Sequence, residues 1–222
     1  MVIKTLGSGS SGNCYLVSLG DKHFMLEAGL KIKRILPHLN DIDLEFAFIS
    51  HAHGDHSQSA KKIADYGIDI LCSNGTAEKL GLMPSEYIVS YNQSGMRTRQ
   101  LHTLHNCVEP TSLLVDSGNE RLYFITDSEY CPHKIDGIST LMIEANWSKY
   151  TMKEGQDGDW VNDRALHSHQ SLERALEWVR DMDKSKLERV ILIHLSNNNS
   201  DVDFFIREMQ AVTGVPVDIA GA

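Results

Sequence analysis

Long hydrophobic runs are missing from this chain of 222 residues. Stretches such as Leu141–Ile143 and Ile191–Ile193 fall far short of the roughly 20 residues a bilayer span needs. An apolar leader is missing too: Met1–Leu6 reads Met-Val-Ile-Lys-Thr-Leu and passes straight into glycine and serine, which speaks against a secretory signal. Cysteine is scarce. Cys14, Cys72, Cys107 and Cys131 include no Cys-x-x-Cys pair, which excludes a zinc-finger spacing and a disulfide framework and leaves reduced thiols in a cytoplasmic protein as the expectation. Without that export signal, the Asn-x-Ser/Thr matches at Asn74, Asn92, Asn146 and Asn198 carry no meaning. Positive charge is short as well. Lys and Arg number 21 against 30 Asp and Glu, a net charge of −9, which argues against non-specific nucleic-acid binding through phosphate neutralisation. Proline numbers only five and no repeat or low-complexity tract intervenes, so a single domain over 1–222 is expected.

What the chain has in excess is histidine, 11 in all. The surrounding pattern predicts strands at Val2–Leu6, Cys14–Ser18, His23–Glu27, Glu45–Ser50 and Ile68–Ser73. A second run falls at Thr98–His105, Thr111–Asp116, Arg121–Thr126, Thr140–Glu144, Glu188–Leu195 and Val215–Ile219. Helices are expected at Leu30–Leu39, Ser57–Tyr66, Ser171–Met182 and Val202–Val212. Strand-rich halves each followed by helices point to an α/β fold, two mixed sheets packed together with helices outside, a four-layer αββα sandwich. Gly7-Ser8-Gly9-Ser10-Ser11-Gly12 fits G-x-G-x-x-G, but Asn13–Ser18 alternates like a strand where a dinucleotide site needs a helix. A tight turn lining a pocket is the better reading.

The chemistry centres on His51-Ala52-His53-Gly54-Asp55-His56, four ligand-type side chains directly after an apolar strand. In extended chain, residues i and i+2 point the same way, so His51 and His53 can converge on one ion. Gly54 allows a turn, after which Asp55 and His56 can face a second. Imidazole with carboxylate suits Zn²⁺, Mn²⁺ or Fe²⁺. His105, Asp127 and His194 stand at the ends of later apolar strands, where α/β sites gather, and complete two coordination sets.

On these residues the chain resembles the metallo-β-lactamase fold hydrolases, through His-x-His-x-Asp-His at 51–56 followed by His105, Asp127 and His194 in order. The resemblance implies His51, His53 and His105 on one metal, Asp55, His56 and His194 on the other, and Asp127 bridging them. Asp at 127 is unlike the lactamases and similar to the phosphodiesterase and nuclease branches. Leu6–Cys14, Phe124-Ile125-Thr126-Asp127, Glu144-Ala145-Asn146 and His194-Leu195-Ser196 are similar to the YycJ (WalJ)-type exonuclease-like subgroup. Three positions depart from its usual pattern: Glu27 before Ala28-Gly29, Asn106 after the ligand histidine, and Trp147 after Glu-x-Asn.

The expected function is therefore dinuclear metal-dependent hydrolysis of phosphodiesters, of the DNA exonuclease type, with two divalent ions, Zn or Mn. Such ions hold a bridging water as hydroxide, and Asp55 is placed to orient that water or take its proton. His169 aligns with the histidine of a Gly-His-Leu-Ser segment in the relatives and is the candidate proton donor; the other reading makes it a residue before a helix capped by Ser171. His23, His38, His102, His133 and His167 have no such role. Lys31/Lys33/Arg34, Lys61/Lys62 and Arg97/Arg99 are solvated charge or flank the pocket. The competing functions are a small-molecule or cyclic phosphodiesterase, a thioester or lactone hydrolase, and a non-catalytic metal-binding module.

Overall fold

The computed structural model describes residues 1–152 and 168–221, so His167 lies outside the described residues. The chain divides into two compact units, one of Met1–His102 with Cys107–Gly118 and Gly221, the other of Thr103–Asn106 with Asn119–Ala220. The strands form two mixed sheets, one of six strands and one of seven.

In the first unit, β1 (Val2–Gly7), β2 (Cys14–Leu19) and β3 (Lys22–Leu26) pair antiparallel. The turn between β2 and β3 is Gly20-Asp21, with Gly20 at φ +66, the left-handed geometry a two-residue hairpin needs. β4 (Leu44–Phe48), β5 (Ile70–Leu71) and β6 (Tyr87–Ile88) continue the sheet in parallel. Met25, Ala47, Ile49, Ile63 and Ile70 lie in the core of this unit. The stretch expected as one helix over Leu30–Leu39 is α1 (Ile32–Ile35) running into a 3₁₀ turn at Leu36–His38.

The helix expected at Ser57–Tyr66 is broken into α2 (Gly54–Ser57) and α3 (Ala60–Asp65). The cause is tertiary: the Ser59 amide donates to the Ala28 carbonyl at 2.9 Å and its hydroxyl to the Leu30 carbonyl at 2.6 Å, outside the helical ladder. A further helix, α4 (Asn74–Leu80), occupies what reads as loop. It is capped by the Ser73 hydroxyl and by left-handed Gly81, but its opening Asn-Gly-Thr looks like a turn. β7 (Asn92–Gln93), β8 (Met96–His102) and β9 (Thr111–Asp116) pair antiparallel. β8 stops at His102, opposite Thr111 where β9 begins. His105 therefore lies in the following loop and not on a strand end, because the ladder has no partner beyond that pair.

The second unit holds β10 (Arg121–Ile125), β11 (Thr140–Glu144), β12 (Arg189–Ile193) and β13 (Val217–Ile219), all parallel. Every residue of β11 is buried, as are the last four of β10 and β12, the near-continuous apolar reading of a parallel sheet. α5 (Leu172–Asp181) buries Leu172, Ala175, Leu176 and Val179, the face its 3.6-residue spacing predicts. α6 (Val202–Thr213) buries Phe205 and Met209 and packs on α5. Among the described residues no helix is long and apolar enough to cross a membrane.

Candidate metal centre

Each unit gathers its own share of the expected ligands. In the first, the segment after β4 turns at His51–His53 and enters α2. His51 Nε2 lies 3.0 Å from His53 Nδ1, and the His51 and His56 ring centroids are 4.3 Å apart. Asp55 Oδ2 is 3.4 Å from His56 Nε2. The backbone beneath is locked by a contact only glycine permits: a Cβ on Gly29 would stand 1.7 Å from the Asp55 carbonyl oxygen. The glycine-rich segment after β1 opens no helix. Gly12, at φ +132, closes a turn onto Gly9 and delivers Asn13, whose side-chain amide lies 3.2 Å from His56 Nε2 and donates to the Asp55 carbonyl at 3.2 Å.

Below the histidines sits Glu27, fully buried at the end of β3 with φ +63. It accepts from the Ser50 amide at 3.3 Å and stands 3.6 Å from His56 Nδ1. Burial pushes the Glu27 carboxyl up, against the pull of His56. Ser50 Oγ meets His51 Nδ1 at 2.9 Å.

In the second unit everything turns on Asp127, two residues beyond β10 at φ +40. His105 Nε2 lies 3.6 Å from Asp127 Oδ2, and His194 Nε2 lies 3.6 Å from Asp127 Oδ1. One carboxylate thus offers a different oxygen to each of two imidazoles. His105 Nδ1 is 2.9 Å from the Ser168 carbonyl; a carbonyl only accepts, so Nδ1 carries the proton and Nε2 presents its lone pair. His194, one residue past β12 at φ +54, turns Nδ1 to Glu144 Oε1 at 3.3 Å, and Asn146 Nδ2 donates to its carbonyl at 2.7 Å. His194 Nδ1 meets both Glu144 Oε1 and the Asn146 side-chain amide, the latter at 3.1 Å. His105, with Nδ1 held by a carbonyl and Nε2 facing Asp127, is arranged as a metal ligand is.

The separations fit that use. Two donors each about 2.1 Å from a tetrahedral ion stand about 3.4 Å apart. The observed 3.6 Å is close to this and too long for direct hydrogen bonds.

His169 stands just outside α5, whose cap is Ser171: the Ser171 hydroxyl accepts from the Arg174 amide. Its Nδ1 lies 2.6 Å from Glu144 Oε1 and 3.8 Å from Asp127 Oδ2, and its ring stacks on His194 at 5.2 Å. Burial alone would lower the His169 pKa, but Glu144 and Asp127 override it and raise it. Burial likewise works to raise Glu144, and His169 holds it below its ordinary range instead.

Glu144 is the residue sequence reasoning noted as part of a motif without giving it a role. Donor atoms of Asp127, Glu144, His169 and His194 all lie within 4.8 Å of one another. Yet Glu144 has no oxygen to spare. Oε1 faces the Nδ1 atoms of His169 and His194, and Oε2 accepts from the Ser128 and Gln170 amides, each at 3.1 Å. Those four contacts use the roughly four lone-pair sites of a carboxylate. Glu144 is thereby placed to orient the neighbouring imidazoles rather than to take an ion itself. The signal was present in sequence: a carboxylate directly after the apolar run Leu141–Ile143, as Asp127 and His194 follow theirs. His23 and His38 join neither group, meeting Ser18 and Lys4 respectively.

Residues 7–95 match the family model described as metallo-beta-lactamase superfamily, and residues 88–195 match a beta-lactamase superfamily domain. The chain belongs to the metallo-β-lactamase superfamily. It is a hydrolase of that superfamily, with the α/β fold expected from its sequence. It is 26% identical to the exodeoxyribonuclease WalJ of Streptococcus pneumoniae over 96% of this chain and 90% of that one. To the exodeoxyribonuclease YycJ of Bacillus anthracis it is 23% identical, over 88% of this chain and 82% of that one. The metallo-β-lactamase fold protein YhfI of Bacillus subtilis superposes with a TM-score of 0.75 at 17% identity, covering 98% of this chain and 95% of that one.

Proposed function

We propose that the protein is a cytoplasmic, dinuclear metal-dependent phosphodiesterase that degrades DNA from an end, the whole chain acting as one catalytic domain. The observation that carries this reading is Asp127, with His105 and His194 each turned to its own oxygen at 3.6 Å. A carboxylate presented in this way suits a bridge between two ions. On this reading His51, His53 and His105 hold one, and Asp55, His56 and His194 the other. Zn²⁺ or Mn²⁺ suits this all-imidazole and carboxylate set. When bound, two such ions supply positive charge to the phosphoryl oxygens and make water acidic enough to ionise near neutral pH.

The chain's own groups do the rest. Asp55, 27% exposed at its side chain while His56 is buried, orients the attacking water and accepts its proton. His169 keeps its Nδ1 proton on Glu144 Oε1, which leaves Nε2 to protonate the departing oxygen. The exodeoxyribonuclease relatives support DNA as the substrate.

Competition between polymer and small molecule tests the choice. Wild-type enzyme with Mn²⁺ is expected to release nucleotides from end-labelled DNA while leaving a cyclic mononucleotide intact. Rapid opening of the cyclic phosphodiester with intact DNA would make it a small-molecule enzyme.

A further inference from the structure

We propose that Tyr150, Phe204, Lys149 and Arg207 form a docking platform for a single strand of DNA, beside the ligands of the second unit; this rests on the nuclease reading above. Tyr150 is 71% exposed, the most exposed large hydrophobic side chain among the described residues. Its ring meets Phe204 edge-to-face, with centroids 6.2 Å apart and planes at 76°. A cation lies over each ring: Lys149 Nζ 4.9 Å from the Tyr150 centroid and Arg207 Cζ 5.2 Å from that of Phe204.

The ring is open to solvent while its backbone is fastened. The Tyr150 amide donates to Ser148 Oγ at 3.2 Å, and that hydroxyl donates to Glu173 at 2.7 Å. The Ser148 amide and the Thr151 hydroxyl both donate to the Asn199 carbonyl, at 3.3 and 2.6 Å. The two segments that meet here are the continuations of β11 and β12 past Glu144 and His194. Asn146 already touches His194, and the four residue-to-residue steps from Asn146 to Tyr150 span at most about 14 Å of chain. A strand with its end at the ligands thus reaches the aromatic pair within a few nucleotides.

An aromatic face with a few cations is the chemistry that holds single-stranded nucleic acid, because an unstacked base offers a π-face to any such ring. A duplex keeps its bases stacked and must be held through phosphates. This surface is poorly supplied for that: Asp201 and Asp203 open α6, Glu208 lies 3.3 Å from Arg207 Nε, and the chain carries −9 overall. Two cations and two rings therefore fit a single strand held by stacking more than by charge.

The test is binding of a fluorescent, cleavage-resistant phosphorothioate oligo-thymidylate to the metal-loaded protein, followed by anisotropy across a salt series. With two phosphates neutralised, log affinity should fall against log salt with a slope of about −1.4. Tyr150→Ala should weaken binding about tenfold with an unchanged melting curve, and Tyr150→Trp should restore it. Lys149→Gln combined with Arg207→Gln should flatten the slope to near zero. Tyr150→Ala binding like wild type overturns the platform, as does an effect of Tyr150→Ala confined to oligomeric state, which would make the patch a self-association surface. If wild type cuts ordinary labelled DNA while Tyr150→Ala binds unchanged, the platform falls and the nuclease reading stands. If wild type neither binds nor cuts DNA, both fall.

Discussion

His169 Nδ1 lies 2.6 Å from Glu144 Oε1, and the same oxygen stands 3.3 Å from Nδ1 of His194. A single buried carboxylate thus orients a proposed metal ligand and the proposed proton donor together. Glu27 occupies the matching place in the first unit, buried beneath His56 at 3.6 Å. Both carboxylates end or directly follow strands that bury apolar residues, and neither exposes any surface.

Glu144→Gln keeps the shape but replaces one accepting oxygen by a donor facing the imidazoles or the amides. Loss of a supporting carboxylate of this kind costs about 10–100-fold in activity or metal affinity. Steady-state kinetics on labelled DNA, with zinc content measured in parallel, should show that loss. Full activity and full metal content would remove Glu144 from the machinery.

Trp147, three residues past Glu144, donates its indole N–H to the His169 carbonyl at 3.3 Å. The flanking carbonyls are held too, Ser168 by His105 Nδ1 and Gln170 by the Asn146 amide, both at 2.9 Å. Trp147→Phe removes one such bond, worth about 1 kcal/mol, and should lower kcat several-fold with KM unchanged. A change in KM alone would show that the indole serves binding and not the placement of His169.

Gly29 is the least replaceable position near the first unit's histidines. In Gly29→Ala the methyl group meets the backbone of Asp55, which cannot rotate away as a side chain can. A cost of about 2–3 kcal/mol in stability, together with weakened metal uptake, is expected from melting curves and zinc titration. A variant that melts and binds zinc like wild type would contradict the close packing.

The thiols offer a test independent of metal. Burial pushes the Cys14 and Cys72 thiols up to about 12 from an ordinary 9.0, so the reactive thiolate is suppressed in the folded chain. Cys131 is also buried and raised, whereas Cys107 is part-exposed. Iodoacetamide near pH 8 should label Cys107 first, and Cys14 and Cys72 only on unfolding. Because the folded values lie above the unfolded ones, the stability tied to these protons is complete below pH 9 and drains away as pH rises toward 12. Stability flat across that window would contradict it.

The site was readable where its information is local. His51, His53, Asp55 and His56 lie within six residues of one another, and Asp127 and His194 follow runs of apolar residues that could only be buried strands. The contacts that shape these groups are distant in sequence. Asn13 reaches His56 across 43 residues and Asn146 reaches His194 across 48, and no local periodicity records either. The break between α2 and α3 has the same origin, since Ser59 bonds to Ala28 and Leu30 and not along its own helix. His105 was picked out as the end of a strand that in fact stops three residues earlier, at His102, because the ladder's last pair cannot be read from the local sequence.

The central claim is metal-dependent cleavage of DNA through Asp127. The direct measurement is an end-labelled assay on single- and double-stranded DNA, comparing wild type, wild type with EDTA, and Asp127→Ala, in Mn²⁺ or Zn²⁺. Progressive shortening by wild type alone, abolished by EDTA and by the substitution, is the predicted result. DNA left intact by wild type in both metals, or cut equally well by Asp127→Ala, would contradict the account.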